Sequence, residues 1–101
     1  MKDTQFFTTV ELLELLRRKY SRHDERCSDY RLSRVLGVTP KAISHLLHHN
    51  GVMSDETAVK VANELDIPPL LVVFSVIRER SKNQAMRDIL DTLPPLHKAA
   101  S

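Results

Sequence analysis

A helix stop and a helix start fall together at Gly37-Val38-Thr39-Pro40, and this stretch constrains the fold more than any other in the chain. Glycine accepts the left-handed backbone that ends a helix, threonine is a favoured N-cap, and proline is preorganised for the first helical position. Two helices joined by so short a connection must cross and pack against each other. Upstream, Ser28 is an N-cap, Asp29 falls in the first turn, and Leu32, Val35 and Leu36 share one face. Downstream, Ile43, Leu46 and Leu47 form the buried stripe of a helix that runs to about His49, where Asn50-Gly51 breaks it. Ser33 is small where the helices come closest, and Val38 is placed to insert between them.

The rest of the chain has helical punctuation as well. Thr8-Thr9-Val10-Glu11 has capping-box form, and the helix it opens carries Val10, Leu12, Leu13, Leu15, Leu16 and Tyr20 as a broad apolar stripe. Arg17, Arg18 and Lys19 complement its negative C-terminal end, and residues 21–27 read as a polar loop. Ser54 caps a fourth helix with Asp55 and Glu56 at its positive end; Ala58, Val61, Ala62 and Leu65 recur at helical spacing, and Asp66 closes it. Pro68-Pro69 opens a fifth helix whose Leu70, Leu71, Val72, Val73, Phe74, Val76 and Ile77 are apolar almost all round. That is more apolar surface than one small core requires, so a partner surface is expected here, against the simpler reading that the helix completes the monomer core. A last helix over residues 84–93, with Met86, Ile89, Leu90 and Leu93, stops at Pro94-Pro95, and the final residues read as frayed.

With two glycines and 5% aromatic residues in 101, the expected fold class is all-α. One domain is expected over residues 1–101, with a helical core at 8–66, its paired helices at 29–48, and C-terminal helices at 68–93 serving dimerisation. Cys27 is the sole cysteine, which excludes an intramolecular disulfide and fits a cytoplasmic location. The apolar run at 67–77 is broken by Ser75 and is about half as long as a membrane span, and the N-terminus has no signal-peptide core. The net charge of +2 conceals an asymmetry. Residues 17–49 hold eight Lys or Arg against three Asp or Glu, whereas from Gly51 onward six face seven. A basic half suited to a polyanion and a near-neutral half suited to protein point to nucleic acid as a partner.

Gly37-Val38-Thr39, the pair Ile43-Ser44 and the later cap Ser54 match, in order and spacing, the helix-turn-helix of lambda-repressor-like and Cro-like phage regulators, which residues 29–48 resemble. The similarity extends over roughly residues 10–73. It implies a helix-turn-helix bundle of about five helices plus a C-terminal helical extension, with double-stranded DNA as the partner. Carried over by position, the base-contacting residues are Pro40, Lys41, Ala42 and His45. Pro40 cannot donate a hydrogen bond, Lys41 can reach guanine N7 and O6, Ala42 can touch a thymine methyl, and His45 can donate to a base acceptor. The phosphate-contacting set is Tyr30, Arg31, Thr39 and Ser44, with His48 and His49 against the backbone. The chain departs from the family where the recognition helix usually ends in Gly: here His49 stands, with Gly51 two residues later.

Dimerisation is expected through Leu70, Val73, Phe74, Ile77, Ile89 and Leu93, which implies an inverted-repeat operator with half-sites about 34 Å apart. His45, His48 and His49 have i, i+4 spacing suited to a metal, but no Glu of a zinc-protease helix and no thiol cluster accompanies them, so no metal site is expected. Cys27 beside Arg26 reads as an ordinary thiol in a polar loop. No phosphate-binding glycine loop, nucleophile elbow or carboxylate pair marks an enzyme, and no cofactor or small-molecule ligand is expected. The resulting expectation is a phage or mobile-element repressor, with an antitoxin that binds DNA or a helical protein-interaction module as the alternatives.

Overall fold

A computed structural model describes residues 4–22, 25 and 27–96. These form six helices: α1 (Thr9–Tyr20), α2 (Asp29–Leu36), α3 (Pro40–His48), α4 (Asp55–Leu65), α5 (Pro69–Arg80) and α6 (Gln84–Asp91). The all-α expectation holds. Among the described residues there is no strand, and an isolated bridge between Arg22 and Glu25 closes the α1–α2 connection.

The helix starts follow their caps. Thr8 accepts from the Glu11 amide at 3.2 Å while the Thr8 amide donates to the Glu11 carboxylate at 2.8 Å, completing the capping box. Ser28, Thr39 and Ser54 each accept an amide from the third residue of the helix they precede. Gly37 turns the chain at φ 69°, and Lys60 of α4 donates to the Leu36 carbonyl there at 3.1 Å. The α3 helix ends at His48 rather than continuing through His49, because Asn50 takes a left-handed φ of 56°.

Leu12, Leu13, Leu16, Leu32, Leu36, Ile43, Met53, Val61, Val72 and Val76 form the main core. Four sequence expectations change in it. Val10 lies outside the stripe at 41% exposure, and Thr9 is buried in its place. Its backbone amide and hydroxyl donate to Glu79 of α5 at 2.8 and 2.7 Å. Arg17 does not decorate the C-terminus of α1; it is buried, donating to the Cys27 carbonyl and, at 2.5 Å, to Asp29. Cys27 is buried with it, so the 21–27 connection is not a wholly solvated loop. A cation spanning α1 and the start of α2 satisfies backbone that burial would otherwise leave unpaired.

The fourth change concerns α5. Its inner residues Val72 and Val76 are core residues shared with α1–α4, and α4 is its most extensive neighbour. The main core therefore extends beyond residues 8–66, with α5 contributing Val72 and Val76 to it. The opposite side carries Leu70, Val73, Phe74 and Ile77 at i, i+3, i+4, i+7, with Leu70 at 51% and Ile77 at 41% exposure. A smaller cluster of Phe6, Leu71, Leu90 and Leu96 joins the N-terminal arm to α5, α6 and the chain beyond. Phe74 and Leu93, expected at a dimer contact, pack in part against this cluster instead. Gln5 ties the two ends together: its side chain donates to the Pro94 carbonyl at 3.0 Å and accepts from the Leu96 amide at 2.7 Å. Frayed ends were expected, yet residues 94–96 are docked, and 97–101 lie outside the described residues. No helix among the described residues is long and apolar enough to cross a membrane.

Candidate nucleic-acid interface

The orientation of α3 follows from its inner side. Ile43 is fully buried and Leu46 and Leu47 are packed against the core, which turns Lys41, Ser44, His45 and His48 outward. The first turn is held by the Thr39 hydroxyl, which accepts from the Ala42 amide at 3.0 Å and keeps its own proton available for an outside acceptor. The helix contains no carboxylate, and among the described residues Lys41 makes no ion pair. A positive helix end, the exposed Lys41 ammonium, the exposed Thr39 hydroxyl and the half-buried Ser44 hydroxyl form a surface complementary to a polyanion.

Lys41, Ala42 and His45 come together around one open cleft of about 480 Å³ between α3 and the start of α4. Val38, Leu46 and Met53 supply its apolar lining. Pro40 is exposed at the head of the helix. His45 leans toward the C-terminal end of α3, stacked on His49 with centroids 5.9 Å apart and planes at 21°. Gly51 makes room for it: a Cβ there would lie 2.7 Å from His45 Cδ2. The glycine displaced from the end of the helix thus serves the placement of a candidate base-contacting side chain.

The expected phosphate contacts do not form one set. Thr39 and Ser44 flank the exposed first turns, and Lys41, Ser44, His45 and His49 border a second, shallower cleft. His48 instead shares a cleft with Glu14, Arg17 and Asp29 on the α1–α2 side, where carboxylates are its neighbours. Arg31 is half-buried and its guanidinium lies over the Tyr20 ring at 5.8 Å. The Tyr20 hydroxyl donates to the Glu64 carboxylate, and that hydrogen bond, with burial adding to it, raises the phenol above its ordinary value. Arg31 is thereby turned toward α1 and away from the Tyr30 side of α2. Arg34 lies outside the contact set read from the sequence, yet it is exposed, stacks over Tyr30 at 5.9 Å and donates to its hydroxyl at 3.3 Å. Its spacing of four from Tyr30 was the available signal.

No group of three His, Cys, Asp or Glu suited to an ion occurs among the described residues. Comparison of the chain with models of known protein families, with curated proteins and with solved structures found no match.

Proposed function

We propose that the protein is a sequence-specific double-stranded DNA-binding regulator of the repressor type, with α2 and α3 as a helix-turn-helix and α3 lying in the major groove. One observation carries this reading: the first turn of α3 is capped, free of carboxylate and exposed, with Lys41, Ala42 and His45 side by side on a helix whose other side is anchored by Ile43. An α-helix presented in this way fits a groove about 12 Å wide. Lys41 would donate to guanine O6 or N7, Thr39 and Ser44 would fix register on phosphates, and Tyr30 with Arg34 would hold the flanking backbone. A homodimer is part of the proposal, formed through the outward stripe of Leu70, Val73 and Ile77 on α5 together with Ile89 of α6, which is 62% exposed. Such a dimer would read two half-sites of an inverted repeat.

The experiment is selection of duplexes from a random pool, followed by quantitative binding with and without Lys41→Ala over a range of salt. The expected result is an inverted-repeat consensus, with Lys41→Ala losing about ten- to a hundredfold at one base pair of each half-site. Absence of any enriched sequence, together with binding insensitive to salt, would overturn the proposal and favour a protein-interaction module.

A further inference from the structure

The last turn of α5 ties the helix that carries the proposed dimer stripe to the connection between α3 and α4. We propose that Thr9 and Glu79 are positioning residues that fix the recognition helix relative to that stripe, and so set the spacing of half-sites that the protein accepts. This rests on the DNA-binding dimer proposed above and names what decides its operator geometry.

Val76 is the last buried residue of α5, so the final turn, which begins with Ile77 of the stripe, adds no buried apolar side chain. There Glu79 Oε1 accepts from the Thr9 amide at 2.8 Å and from the Thr9 hydroxyl at 2.7 Å. A hydroxyl has a single proton, and with that proton given to Glu79 the Thr9 oxygen serves as acceptor for the Met53 amide at 3.3 Å. Arg80 completes the tie, donating to the Met53 carbonyl at 3.3 Å and pairing with Asp55 at 3.5 Å. Both backbone groups of Met53 are thereby held from α5, one directly and one through Thr9.

Met53 lies two residues after Gly51, against which His45 packs, and its own side chain is fully buried. Apolar contact is non-directional, whereas a hydrogen bond weakens steeply as its angle departs from linear. Val72 and Val76 thus hold α5 to the body, and the ties at its end decide the angle. Thr9 is 1% exposed, so its bonds are not exchanged cheaply for bonds to water. In a two-fold dimer joined through α5 an error in that angle enters once in each copy. One base pair of spacer shifts a half-site by about 3.4 Å and turns it by about 35°. A rigid link between stripe and recognition helix therefore accepts one spacer, and a loose link accepts several.

The test takes duplexes enriched from a random pool, resynthesises them with the spacer between half-sites shortened or lengthened by one and two base pairs, and compares each affinity with that of the enriched spacer. The folded fraction multiplies every affinity alike, so this ratio does not respond to a loss of stability alone. The parent protein should lose about tenfold or more for one base pair in either direction, and Glu79→Ala should lose less than about threefold, with the bases preferred within each half-site unchanged. Thr9→Val, which removes the hydroxyl and keeps the branched shape, should relax the spacing in the same way. Glu79→Gln, whose amide oxygen can accept both Thr9 bonds, should keep the parent preference. Retention of that preference by Glu79→Ala or by Thr9→Val would overturn the assignment, and so would equal relaxation in Glu79→Gln. Enrichment of single half-sites would overturn the dimer and this inference together and leave groove recognition standing. Failure to enrich any duplex would overturn the DNA-binding reading as well.

Discussion

Replacing Val72 by alanine tests whether α5 belongs to the folded monomer or only to a contact between copies. Val72 has no exposed surface and lies in the main core, whereas Leu70, two residues earlier, is half in water. Val72→Ala removes two buried carbons, worth about 1.6 kcal/mol in transfer free energy. A residual cavity of roughly 50 Å³ at about 24 cal/mol per Å³ adds about 1 kcal/mol. The expected destabilisation is therefore about 2–3 kcal/mol, which for a domain of this size lowers Tm by roughly 10 °C or more. Leu70→Ala should change the stability of the monomer by less than about 0.5 kcal/mol, acting on self-association instead. Urea unfolding followed by circular dichroism at several protein concentrations measures both effects. Equal small losses for the two variants, or a Val72→Ala loss that vanishes on dilution, would refute the assignment of α5 to the core.

Gly37→Ala should cost about 1 kcal/mol, because φ 69° strains a side chain and a Cβ there would approach the Lys60 ammonium to 3.1 Å; thermal unfolding measures it, and Gly37→Asn should lose less. The Arg78 guanidinium, bonded to Asp91 at 2.8 and 2.9 Å, holds that carboxyl below its ordinary 3.8. A carboxyl depressed in the folded state stabilises fully above its unfolded value and loses that contribution as pH falls through the folded one. Asp91→Asn should accordingly be less stable than the parent near neutral pH, with the difference closing in unfolding experiments below about pH 4.

Local signals in the chain proved reliable because a cap is satisfied by residues within one turn of it. Ser28, Gly37, Thr39 and Ser54 all act where their sequence context placed them. The side of α3 that faces outward was legible for the same reason, since Ile43, Leu46 and Leu47 leave Lys41 and Ser44 on the other side. Arg17 was not legible. Its partners, the Cys27 carbonyl and Asp29, are brought to it by the return of α2 against α1, and no periodicity encodes that. Nor could spacing divide the expected phosphate contacts: Arg31 goes to Tyr20 only because α1 ends beside one flank of α2.

The sequence alone determined six helical segments, the N-caps of the first four and the short turn at Gly37, because each depends on interactions between residues a few positions apart. Tertiary structure decided what those helices share. It placed Val72 and Val76 in the core and Leu70 and Ile77 outside it on a helix that is apolar nearly all round, and it brought Met53 from the α3–α4 connection to the cleft that Lys41, Ala42 and His45 border. Those outcomes depend on which neighbours pack against a helix, a property of the assembled chain that no local spacing contains.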